Sequence, residues 1–138
     1  TDPDTAERLA MRLSPGTTWV SHLLQRLALA QLTDPEVRAQ ITAAGAHYAE
    51  RNSAFVARLR THGLHAPASD GLSLWLPLPL PARAVAERLM RRGWLARTGD
   101  EFALSDRTAP SHHLRLTVHD LSDDDAEQLV DDLVAAVR

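Results

Sequence analysis

Along the first 62 residues the apolar positions fall three and four apart, whereas from residue 71 they alternate, with helical stretches between. Thr1-Asp2-Pro3-Asp4 offers a capping residue, a proline suited to the first helical turn and an acid that complements the helix dipole. A helix is predicted from about residue 3 to Leu13, where Ser14-Pro15-Gly16 stops it. Val20, Leu23, Leu24, Leu27 and Ala30 mark a second helix up to Leu32. Thr33-Asp34-Pro35-Glu36 then reads as a capping box, and Val37, Ile41, Ala44, Tyr48, Phe55 and Leu59 hold one stripe up to Gly63. That stripe predicts a helix of nearly 30 residues, on the order of 40 Å long. One small core does not cover such a helix, so part of its surface is expected to serve another domain or subunit.

The second half changes period. Gly71 to Leu78 alternates leucines as a strand does, and the prolines at 77, 79 and 81 are expected to end its ladder. Pro81 can open a helix whose buried face is Val85, Ala86, Leu89 and Met90, with Arg88, Arg91 and Arg92 outside and Gly93 as terminator. Short strands are expected around Trp94 to Arg97, Phe102 to Leu104 and Leu114 to Val118. Ser122 caps a last helix with three acids in its first turn and Ala126, Leu129, Val130, Leu133, Val134 and Val137 on one stripe. The fold class is α+β: long N-terminal helices leading into a small antiparallel sheet covered by helices. Residues 1–62 form the helical segment and 63–138 the α+β domain.

Composition narrows the chemistry. All 15 cationic side chains are arginine and none is lysine, which excludes a Schiff-base lysine, a lysine general base and a phosphate-loop lysine. The absence of cysteine excludes disulfides, thiolate metal sites and cysteine nucleophiles. At 138 residues with 44% hydrophobic content and a net charge of -3, the chain has enough material for one core and no basic excess for DNA contact on its own. No apolar run approaches the roughly 20 residues that span a bilayer, and a cytoplasmic location is the default expectation.

Gly71-Leu72-Ser73-Leu74-Trp75-Leu76-Pro77-Leu78, then Ala86 through Trp94 with Gly99 and Phe102, then Leu114-Arg115-Leu116, resemble the C-terminal small domain of fold-type I aminotransferases. The likeness is strongest to the MocR branch of GntR-family transcriptional regulators, in which a winged-helix DNA-binding domain is joined to an aminotransferase-like effector domain. Val20-Ser21-His22-Leu23-Leu24-Gln25 and Tyr48-Ala49-Glu50-Arg51 resemble the two helices that lead into that small domain. The resemblance implies a parent with a large domain holding pyridoxal phosphate; its lysine has no counterpart here, so the chain is expected to be a fragment and catalytically silent alone. It also implies a carboxylate or amino-acid effector and a homodimer, and the uncovered face of the long helix is expected to drive self-association. A genuine aminotransferase parent is the alternative, and an unrelated α+β interaction module the third reading.

The resemblance places substrate binding on Arg115, where a planar guanidinium fork would hold a carboxylate. The competing reading is an arginine exposed on a half-buried strand or paired with an acid. His112, His113 and His119 invite a metal, but adjacent strand histidines point to opposite faces and no matching carboxylate completes a site. Asp120 and Asp123 to Asp125 lack the glycine and terminal glutamate of a calcium loop and read as helix capping. Trp75 and Trp94 lie in apolar strand-like segments, where core packing is the commoner role than ligand stacking. Ser111 has no nucleophile elbow around it. Arg88, Arg91, Arg92 and Arg97 form a modest basic cluster of the kind usually solvated.

Overall fold

The carboxylate of Asp2 accepts from the Thr5 N–H (2.9 Å) and hydroxyl (2.7 Å), and the helix it caps runs Pro3–Leu13 (α1). The computed structural model describes residues 2–13, 20–67, 71–103 and 109–138. The stop signal at Ser14-Pro15-Gly16 and the Leu104 end of the expected third strand lie outside those residues. Helix α2 spans His22–Thr33 and α3 spans Pro35–Thr61. The expected capping box does not form. Thr33 is the last residue of α2, its hydroxyl donating to the Leu29 carbonyl (2.8 Å), and Asp34 caps α3 by accepting from Glu36 (2.8 Å) and Val37 (3.3 Å). A carboxylate one residue closer to the helix start outcompetes the threonine hydroxyl for those orphan donors.

Two compact units divide the chain, Thr1–Thr42 and Ala43–Arg138, with the boundary inside α3. None of the described residues of the first unit is buried.

In the second unit, the end of α3 buries Asn52, Phe55, Val56 and Leu59. Gly63, at φ +79°, reverses the chain there: its N–H reaches the Arg60 carbonyl (3.1 Å) and that of Leu64 the Leu59 carbonyl (3.0 Å), the Schellman pattern. Strands β1 (Leu74–Pro77), β2 (Arg97–Thr98) and β3 (His113–Leu116) form an antiparallel sheet in the order β1-β3-β2. Leu74 faces Leu116, Trp75 faces Arg115 and Leu76 faces Leu114. Pro77 sits within the strand, not beyond its end, and the ladder continues to the Leu78 N–H, which donates to His112 (2.7 Å). Because β1 is an edge strand, the N–H that Pro77 lacks falls on the unpaired side.

Helix α4 (Ala82–Met90) and helix α5 (Asp123–Val137) cover the leucine face of the sheet, where Leu74, Leu76, Leu114 and Leu116 meet Val85, Leu89, Val130 and Leu133 in one core. Gly93, at φ +92°, repeats the Schellman ending after α4. Met90 is not part of the buried face. It is 61% exposed, and Ala82 completes the α4 stripe in its place. Ser122 accepts from the Asp125 N–H (3.1 Å), as its capping role requires, and Ala126, Leu129, Val130, Leu133 and Ala136 are the buried positions of α5.

Side chains of α4 and of the turn after it reach α5, among them two arginines expected to be solvated. Arg88 donates to the Ala136 carbonyl, Arg92 to the Asp132 carboxylate (2.8 Å), and the Trp94 indole N–H to the other Asp132 oxygen (2.7 Å). Strand content in the first two of the three short segments is smaller than expected: Trp94 to Ala96 run irregularly into a two-residue β2, and Gly99–Phe102 form a 3-10 turn. The architecture is the expected α+β layer.

Candidate functional site

One face of the sheet is leucine and buried; the other carries polar and aromatic groups. Across it, at one level of the register, lie Trp75 on β1, Arg115 on β3 and Arg97 on β2. Arg115 is half-buried, and its Nε donates to the Ser73 hydroxyl (3.1 Å), itself 3.2 Å from the Thr117 hydroxyl. The Phe102 ring, delivered by the 3-10 turn, meets all three residues of the row. Its centroid is 5.3 Å from that of Trp75, edge to face at 80°, 4.8 Å from the Arg97 guanidinium carbon and 5.1 Å from that of Arg115.

Packing beneath the turn sets that position. The Ser111 N–H donates to Asp100 (2.7 Å), the buried Ser111 hydroxyl accepts from the His113 N–H (3.2 Å), and the backbone of Gly99 passes against it. A Cβ on Gly99 would stand 2.3 Å from the Ser111 hydroxyl and 3.3 Å from the His113 carbonyl. Glu101 spans two partners, one oxygen accepting from the Thr98 N–H (3.0 Å) and the other from Arg97 Nε (2.9 Å). The Arg97 guanidinium, with the Thr98 N–H, holds the Glu101 carboxyl below the usual range.

Arg115 thus stands on a strand, as expected, with no acid paired to it among the described residues. Its fork is immobilised at Nε and oriented by an aromatic ring, the arrangement suited to a carboxylate. Trp75 corrects the expectation of core packing. At 39% exposure it lies on the outer face, because Leu74 and Leu76 take the inward positions of a period-two strand. Trp94 packs against the core. Arg97 was grouped with a solvated cluster, yet it is the cross-strand neighbour of Arg115. A two-residue strand is too short to show alternation, so only the cross-strand register reveals it.

The remaining candidates disperse. His113 lies on the outer face opposite Pro77, His112 is exposed, and the half-buried His119 ring rests 4.5 Å from that of Tyr48. No group of three or more metal-ligating side chains occurs among the described residues. Asp123 bridges Arg51 (3.1 Å) and Arg58 (3.0 Å), two guanidinium groups of α3 that lower its pKa, Arg58 the more. No described helix is long and apolar enough to cross a membrane.

No family model matches the chain. It is 39% identical over 137 residues, 99% of its length, to the vitamin B6 salvage pathway transcriptional repressor PtsJ of Salmonella typhimurium strain LT2. The chain is homologous to part of that transcriptional repressor. It spans 31% of that relative's length. Solved structures share the fold at low identity: a kynurenine aminotransferase of Pyrococcus horikoshii (TM-score 0.73, 17% identity, 99% of this chain, 35% of the other) and a decarboxylase of Sulfurospirillum multivorans (TM-score 0.63, 15% identity, 96% of this chain, 37% of the other). The fold is that of aminotransferase-like proteins.

Proposed function

We propose that the chain is the C-terminal part of the aminotransferase-like effector domain of a MocR-type transcriptional regulator, and that Arg115 is its carboxylate-binding residue. The observation that carries the reading is the 39% identity sustained over 99% of the chain to a repressor. The geometry of Arg115 supports the second half: a half-buried guanidinium, fixed at Nε by Ser73 and backed by Phe102, with no internal acid to neutralise it among the described residues.

The parent would be a cytoplasmic homodimer with a winged-helix DNA-binding domain and a large domain holding pyridoxal phosphate. This chain's own residues do not fit that cofactor, since a sequence without lysine has no amine for its aldehyde. When bound in the parent, the cofactor supplies an electrophilic carbonyl for an amine. The part left to this chain is to grip the carboxylate of the same ligand from the sheet. In a regulator, that grip would shift the arrangement of domains rather than orient a reaction.

Reading the coding sequence upstream of Thr1 tests the proposal. A winged helix followed by a lysine-bearing large domain is the expected result. A large domain without the winged helix would make the parent an enzyme, and a start codon just before Thr1 would overturn the reading.

A further inference from the structure

The row across the outer face contains two cations where carboxylate binding needs one. Arg97 and Arg115 are direct cross-strand partners, a placement in which like charges repel. Both guanidinium groups lie against the single ring of Phe102, within 5.1 Å of its centroid, and are therefore about 10 Å apart at most. Each is engaged at Nε: Arg115 by the Ser73 hydroxyl (3.1 Å) and Arg97 by the Glu101 carboxylate (2.9 Å). The terminal nitrogen pair of each has no hydrogen-bond partner among the described residues. Two forks thus lie within about 10 Å of each other, each held at its Nε. Among the described residues Glu101 is the only acid bonded to either, and the three groups together carry one excess positive charge.

We infer that Arg97 is a second anion-binding residue of the Arg115 site, and that the ligand is a short dicarboxylate. One carboxylate takes the terminal fork of Arg115 and the other that of Arg97, each as a pair of parallel charge-assisted hydrogen bonds. A ligand negative at both ends engages both forks and a monocarboxylate only one, and this difference favours the dicarboxylate. Glu101 acts as a positioning residue: it aims Arg97 through Nε and leaves the fork open. The inference rests on the carboxylate role proposed for Arg115, and the experiment separates the two.

Succinate and butyrate have the same number of carbons and differ in the second carboxylate. Each is titrated into the 15N-labelled chain at constant ionic strength, with the β3 amides and tryptophan indole N–H signals followed by NMR. The wild-type chain is expected to prefer succinate by about tenfold, one added fork contact in partly solvated surroundings. Arg97→Gln removes that preference and leaves butyrate binding as it was. Arg97→Lys, which keeps the charge without the fork, restores part of it. Glu101→Gln keeps an acceptor for the Thr98 N–H but not for Arg97 Nε, so Arg97 loses its aim and the preference for succinate falls while butyrate binding stays as it was. Arg115→Gln abolishes binding of both. A succinate-to-butyrate ratio unchanged in Arg97→Gln, or near one in the wild type, overturns the role of Arg97. Butyrate binding that survives Arg115→Gln overturns the role of Arg115, and absence of any shift at tens of millimolar overturns both.

Discussion

The two units use leucine in opposite ways. In Ala43–Arg138, Leu59, Leu74, Leu76, Leu89, Leu114 and Leu133 are fully buried in one core. In Thr1–Thr42, Leu23, Leu24, Leu27, Leu29 and Leu32 of α2 are all more than half exposed. At about 100° per residue, the first three lie on one side of α2 and the last two on the other. A helix apolar on both sides is made to be surrounded. The second unit carries its own core and presents the face proposed to bind a carboxylate, whereas the described leucines of the first unit remain uncovered. In the sheet of three short strands, α4 and α5 cover the leucine face and leave the arginine face open.

Mutations should report that contrast directly. Leu89→Ala, in the centre of the core, is expected to lower stability by about 2–5 kcal/mol, read from the chemical denaturation midpoint. Gly99→Ala should cost about 1–3 kcal/mol, because the new methyl displaces Ser111 or the His113 backbone. It should also weaken carboxylate binding, since the Phe102 turn starts at that glycine; normal binding in a destabilised protein would separate the turn from the site.

Effects at the surface are smaller. Asp123 has a folded pKa held below its ordinary value by Arg58 and Arg51, so its contribution is full above that ordinary value and fades as pH falls through the lowered one. Wild type and Asp123→Asn should therefore differ in melting temperature near neutrality and converge in acid. Leu27→Ala should leave the unfolding of the second unit within about 0.5 kcal/mol of wild type, while reducing self-association in sedimentation velocity. A large loss of stability there would show that α2 already has a core.

Much of the fold was legible because its signals are local. Glycines 63 and 93 end their helices in the Schellman manner, Ser122 caps α5, and the leucine alternation of residues 74 to 78 gives the buried face of β1. The misreadings come from competition between neighbours. Asp34 displaced Thr33 as cap, and Met90, at the end of α4, lost its place in the buried stripe to Ala82 at the start. Arg115 was placed by resemblance on a strand that the structure contains. Its companions were hidden, because Trp75, Phe102 and Arg97 come from three separate segments and meet only through cross-strand register and a 3-10 turn. No spacing along a sequence encodes that meeting.

Hydrogen exchange of the chain, at a concentration where it sediments as a monomer and again within the full-length parent, tests the contrast most directly. Amides of β3, α4, α5 and the end of α3 should be protected in both samples, and those of α2 should exchange rapidly in the chain alone and become protected in the parent. Equal protection of α2 and α5 in the isolated monomer would contradict the account.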